Sequence, residues 1–202
     1  MSAQTPNGVE FSLAAKIYLC AGRVFPGSGM MFGWKAPTGE RVSFKTLTET
    51  MMVAQLDALV TSGHAQIWEA QRKQLIGSFP VVMVRAVYSG APGFAGRMLE
   101  ATQWQDTDFY LLTRRIMGEA MTDVPYHVVM DQVAEEFRSA GILHGNGWNP
   151  EWLDHLVTQW GREAWDAVQH VATLPWKEVA RRNVSTASGS LVEHDSSGID
   201  SD

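Results

Sequence analysis

Thr46–Trp68 reads TLTETMMVAQLDALVTSGHAQIW, and its hydrophobic spacing decides the fold class. Thr46 and Glu49 fit a capping box, in which a hydroxyl and a carboxylate satisfy amide donors that the first helical turn leaves open. Met52, Val53, Leu56, Leu59 and Val60 recur at three- and four-residue spacing and paint one apolar stripe on a helix. Gly63 comes next, where a glycine can take the left-handed conformation that ends a helix, and His64–Trp68 then alternates as a short strand.

The unit is echoed at Pro125–Trp148. Pro125 suits a first helical turn, Val129, Val133, Ala134 and Phe137 make the stripe, and Gly141 closes it before Ile142 and Leu143. Setting Gly63 over Gly141 places Leu56 on Ala134 and Leu59 on Phe137.

Outward from these units the chain reads mainly as helix. Residues 1–10 are small and polar and are expected to be flexible, whereas Phe11–Leu19 suits a short helix with Leu13, Ile17 and Tyr18 inward. Between Gly22 and Gly39, five glycines and two prolines surround Phe25, Met30, Met31, Phe32 and Trp34, which predicts a long apolar loop. A turn at Pro37-Thr38-Gly39 leads to a strand at Arg41–Phe44 that would pair near Trp34. Val81–Val87 is a β-branched run that predicts a buried strand, and Phe109–Met117 predicts a helix leaving Arg114 and Arg115 exposed.

The plainest helix start is Asn149-Pro150-Glu151, which combines an N-cap, a first-turn proline and a first-turn acid. Its apolar period runs to Leu174, where Pro175 stops it, and Trp152 and Trp165 lie off the main stripe. Beyond Asn183 the serines, glycines and acids lack apolar surface, so 183–202 is expected to be a disordered acidic tail behind a single helical domain at 11–182.

Composition excludes several functions. The 202 residues are 45% hydrophobic and 19% charged, ordinary for one globular domain. Net charge is −6, so the broad basic surface of a nucleic-acid binder is missing. A winged-helix reading of the repeated unit fails for the same reason, because Thr46–Ser62 holds no Arg or Lys. Cys20 is the single cysteine and fits a reducing, cytoplasmic setting. Ser12 and Lys16 interrupt the apolar stretch Phe11–Cys20 and no apolar run approaches bilayer length, so no signal segment is expected and membrane contact is expected to be peripheral. Glu151 with His155 and Asp166 with His170 are four apart on a helix face, but neither completes a zinc pattern. No catalytic residue, metal set or cofactor motif emerges, and the chain is expected not to be an enzyme.

The run Met52–His64, with Val133–Leu143, resembles the helix-glycine-strand units of the Golgi phosphoprotein 3 (GOLPH3/Vps74, GPP34) family, including its bacterial, actinobacterial-type members. Leu13–Leu19 and the Thr38-Gly39 turn extend the resemblance over Leu13–Leu143. It implies a mainly α, GOLPH3-like single domain with a few short strands. It also implies non-enzymatic, adaptor-type binding of anionic, phosphoinositide-like headgroups at a membrane surface. Trp34 matches the family's lipid-pocket tryptophan, which makes Trp34, Lys35 and Arg41 the expected lipid-binding residues and Met31 and Phe32 the membrane-inserting ones. The positions at which the family carries pocket arginines fall on Met52, His127 and Met130. The alternative is a protein-interaction module that docks a partner, or itself, through Trp152 and Trp165 on the helix at 150–174.

Overall fold

The computed structural model describes residues 8–25, 33–73, 77–118, 125–145 and 147–196. Met31 and Phe32, expected to insert into a membrane, lie outside these residues, as does most of the flexible N-terminus expected at 1–10. Val9, within that segment, packs on the core. Among the described residues there are eight helices and three small antiparallel sheets, a mainly α fold.

Helix α1 (Leu13–Leu19) starts at Ser12, whose hydroxyl accepts from the Ala15 amide. Its alanines, Ala14 and Ala15, are fully buried. Small side chains there let neighbouring helices approach closely. A short α2 (Ala21–Val24) comes next, then the hairpin β1 (Trp34–Lys35) and β2 (Arg41–Val42), in which Trp34 faces Val42. The turn between them closes through Ala36 N to Glu40 O, with Gly39 at φ +103°.

Helix α3 (Phe44–Thr61) begins earlier than the capping-box reading expects. Ser43 is the cap and accepts from the Thr46 amide. Glu49 therefore has a different task. It is 3% exposed, and Arg181 approaches its Oε2 at 3.2 Å from 132 positions away in sequence. Every residue from Leu47 to Leu56 is buried, so α3 is enclosed on all sides rather than on one stripe. Helices α1, α6 (Pro125–Ser139), α7 (Pro150–Val171) and α8 (Lys177–Ser196) pack around it, together with strand β3 (Ala65–Lys73). Over Leu47–Leu56 the helix has no exposed face to lay in a DNA groove.

Gly63 ends α3 at φ +78° and Gly141 ends α6 at φ +71°. At α6 the Ile142 amide reaches Phe137 O and the Gly141 amide reaches Arg138 O, a Schellman closure. The echo between the two units ends there, because β3 runs nine residues whereas β6 (Leu143–His144) pairs with β7 (Gly147–Trp148) in a two-residue hairpin. A Cβ on Gly63 would meet nothing within 4 Å, so only its backbone conformation demands glycine. Gly63→Ala is expected to cost about 1 kcal/mol, read from the shift in urea midpoint at unchanged slope.

Strands β3 and β4 (Ser78–Ala86) pair along their whole length, and β5 (Thr107–Asp108) adds to β4 only opposite Met83 and Val84. Helix α4 (Gly93–Ala101) precedes β5. Helix α5 (Phe109–Met117) has the bounds its period predicts, capped by Asp108 on the Leu111 amide.

Beyond Asn183 the chain departs from the expected disordered tail. Helix α8 continues to Ser196 with Asn183, Val184, Ala187 and Ser188 buried. Asn183 sits where β5 has ended. Its Oδ1 accepts from the Val82 amide at 3.1 Å and its Nδ2 donates to Pro80 O at 3.0 Å, so one side-chain amide completes the edge of β4. The Ser188 hydroxyl donates to Ser185 O at 2.7 Å and accepts from Tyr126 Oη at 2.7 Å, which ties α8 to α6. The composition that suggested disorder includes small side chains that let a helix sit close to a sheet and to α3, α5 and α6. Residues 197–202 lie outside the described residues.

Candidate functional site

A stack of aromatic rings leads from the core to the surface beside β1. Phe11 meets Phe137 and Trp160 at 5.1 Å, Phe137 meets Trp148 at 5.1 Å, and Tyr18 packs on Trp34 at 4.8 Å. Periodicity positions these rings: Tyr18 is on the inward face of α1 and Phe137 on that of α6. The β6–β7 hairpin then delivers Trp148.

At its outer end the stack walls a pocket of about 390 Å³. Trp34, Trp148 and Tyr18 give the aromatic surface, and Lys35 and Arg138 are its cations. Arg138 lies on α6 one and two turns beyond Ala134 and Asp131, which also line the pocket, so the three share one helix face. Its guanidinium reaches Glu135 at 3.0 Å and Asp131 at 3.9 Å. Burial, with the Asp131 charge adding to it and Arg138 opposing, pushes the Tyr18 phenol up to about 12. Tyr18 therefore remains protonated and can donate to a ligand oxygen at any physiological pH.

The expected site residues divide. Trp34 and Lys35 line the pocket together. Arg41 faces Lys35 across the hairpin, but its Nη1 donates to Gly33 O at 3.3 Å and it is not in the pocket wall. Arg138 holds the second cationic position instead. As the lone arginine of α6 it carried little weight in the sequence, although the helical spacing that sets it on one face with Asp131 and Ala134 was readable. Of the positions matched to family arginines, Met52 is fully buried and Met130 4% exposed, while the His127 ring stacks on Phe44 at 4.3 Å. None of the three lines the pocket.

Other arginines lie away from Trp34. Arg72 pairs with Asp108 and lies over the Tyr110 ring at 4.8 Å. Arg85 forms a two-pronged pair with Asp106 at 2.6 and 2.7 Å and covers the exposed Trp68. Arg114 and Arg115 line a separate cavity.

The tryptophans proposed for partner docking also separate. Trp152 is half-buried against the core and Trp165 is 41% exposed. Thirteen residues apart on α7, they point about 140° from each other, so they do not share a docking face. His170 does not join Asp166; it meets Asp57 of α3 at 3.2 Å, and Asp166 is near Arg162 at 3.7 Å. Burial pushes the Cys20 thiol up to about 12, which leaves almost no thiolate for nucleophilic chemistry. Among the described residues no cluster of three or more metal-ligating side chains is present, and no helix is long and apolar enough to cross a membrane. No family model matches the chain, and neither a curated protein nor a solved structure matches it.

Proposed function

We propose that this chain is a non-enzymatic binding protein that docks an anionic, phosphoinositide-like headgroup at a membrane surface, in the pocket between β1 and α6. The observation that carries the reading is the placement of Lys35 and Arg138 on a pocket walled by Trp34 and Trp148. A phosphate accepts strong, charge-assisted hydrogen bonds from guanidinium and ammonium groups, and the protonated Tyr18 hydroxyl offers a further donor. Tryptophan suits the site because its apolar ring and polar N–H match the boundary between acyl chains and headgroups.

Sequence supports the same orientation. Pro26, Met30, Met31 and Phe32 shortly precede Trp34, and apolar side chains next to a headgroup site are what a peripheral protein presses into the interface. Arg138 shares its charge with Glu135 and Asp131, and a phosphomonoester with nearly two negative charges competes well for it.

Co-sedimentation with phosphatidylcholine vesicles, plain or containing phosphatidylinositol 4-phosphate, tests the proposal. Binding is expected to the anionic vesicles alone and to weaken with salt. Lys35→Glu with Arg138→Glu is expected to lower affinity by about tenfold or more, since each lost charge-assisted bond is worth about 1.5–3 kcal/mol. Trp34→Ala is expected to weaken it as well. Retention of the charge-reversed variant at wild-type level would overturn the assignment.

A further inference from the structure

A larger cavity, of about 630 Å³, opens between α4, α5 and the middle of α6, away from the Trp34 pocket. Its polar lining includes Arg97, Arg114, Arg115, Gln103 and Gln132, with Leu111 and Ile116 as apolar wall. The three arginines are not equivalent. Arg115 Nη1 donates to Ala101 O at 2.9 Å and to Thr107 Oγ1 at 3.3 Å, so it fastens the carbonyl end of α4 to α5. Gln132 is likewise fixed, its Nε2 donating to Ile116 O at 2.8 Å. The side chains of Arg97 and Arg114 make no hydrogen bond or close ion pair with any described residue, and the Arg97 charge acts only at longer range on the buried Glu136 carboxylate.

A second feature points at the same cavity. Gln103 and Trp104 both adopt left-handed backbone conformations, at φ +54° and +58°, where neither is a glycine. Such residues cost about 1–2 kcal/mol each and persist only where surrounding bonds enforce them. Here the Gln103 amide donates to Glu100 O and the Trp104 amide to Thr102 Oγ1, and the turn sets Gln103 into the cavity wall.

We infer that this cavity is a second ligand site, specific for a phosphomonoester, with Arg97 and Arg114 as the phosphate-binding pair. Two guanidiniums present paired donors that match phosphate oxygens, a geometry a lone lysine lacks. The volume exceeds that of bare phosphate and falls in the range of small-molecule sites, so the ligand carries an organic body. Leu111 and Ile116 receive the apolar part of that body, while Gln103 and the nearby Glu100 carboxylate suit its hydroxyl or amino groups. Arg115 and Gln132 act as positioning residues that hold the three helices around the ligand.

Isothermal titration of the full chain with AMP, glycerol 3-phosphate, inorganic phosphate and adenosine tests the site. The two monoesters are expected to bind more tightly than inorganic phosphate, and adenosine not to bind. Arg97→Gln with Arg114→Gln is expected to weaken monoester binding by about tenfold or more at an unchanged melting temperature. Lys35→Glu with Arg138→Glu is expected to leave it intact, which separates this site from the proposed headgroup pocket. Phosphatidic acid vesicles present the same phosphomonoester from a membrane, and retention on them that requires Arg97 and Arg114 supports the site with a lipid as source. Absence of heat with both monoesters and of retention on those vesicles overturns the inference. So does monoester binding that survives the double substitution, or a double variant that loses thermal stability while the wild type binds no probe.

Discussion

Ending the chain at Arg182 is expected to abolish cooperative unfolding, or to lower the melting temperature drastically, although the residues removed read as a solvated acidic tail. The deletion takes away Val184, whose burial contributes about 1.5–3 kcal/mol. It also removes both hydrogen bonds of Asn183, leaving the Val82 amide and Pro80 carbonyl without their partners at the edge of β4. An orphaned buried donor costs about 1–3 kcal/mol in addition to the bonds themselves. With the Ser188–Tyr126 bond and the packing of Ala187 also gone, the loss is on the order of 5 kcal/mol, comparable with the whole stability of a typical domain. Asn183→Ala isolates the edge contribution and is expected to cost about 2–4 kcal/mol. Circular-dichroism melts measure both; a truncated chain that melts with the full-length protein would mean that α8 contributes nothing to the fold.

Glu136→Ala is expected to destabilise the protein by about 3 kcal/mol, because one carboxylate serves the starts of two helices. Its Oε2 accepts from the Ser12 amide at 2.9 Å, and its Oε1 accepts from the Ser12 hydroxyl at 2.6 Å and the Phe94 amide at 2.8 Å. Helix α4 has no side-chain cap of its own, since Pro92 occupies that position, so Glu136 supplies the acceptor that its first turn needs. Gly93 beside it takes φ +53°, and a Cβ there would run into the Glu136 carboxylate, which gives glycine two independent requirements at that position. The cost stays at about 3 kcal/mol rather than the sum of three charged bonds because burying the carboxylate offsets part of the gain.

The offset has a pH signature. Burial raises the Glu136 carboxyl above its ordinary value of 4.5, with the bonds from Ser12 and Phe94 opposing. The folded protein therefore holds this proton more tightly than the unfolded chain. Stability from that preference is fully present below the unfolded value and is lost as pH rises through the folded one. Glu136→Gln cannot titrate, so the stability difference between wild type and Glu136→Gln is expected to narrow as pH rises from about 4.5. Glu49, also raised by burial, titrates in both proteins and cancels from the difference. Denaturant titrations at several pH values read the trend directly, and a gap that stays flat or widens upward would contradict the buried-proton account.

These expected effects fall where local reading of the chain was weakest. Local signals did set much of the architecture. The Asn149-Pro150 start of α7, the Phe109–Met117 span of α5, the pairing of the strand at Arg41 near Trp34 and the left-handed glycines at 63 and 141 arise from caps, periods and backbone freedom acting within a few residues. The placement of Trp34 beside Lys35 was legible for the same reason, because they are neighbours on one strand.

Tertiary structure alone decided the rest. A single apolar stripe on α3 says that one face is buried; only the arrival of five helices and a strand makes Glu49, Thr50 and Gln55 core residues as well. Small and polar residues after Asn183 are equally compatible with solvent and with a tight groove, and the unpaired edge of β4 at Val82, 101 positions earlier, selects the groove. The cationic partner of Lys35 proved to be Arg138, while Arg114 and Arg115 joined Arg97 in another cavity. Interactions spanning one turn or one hairpin set α5, the start of α7 and the glycine ends of α3 and α6, whereas α8 after Asn183 needed the edge of β4. Which side chains then meet, as Ser12 meets Glu136 across 124 positions, depends on how those elements pack and on no local preference at either end.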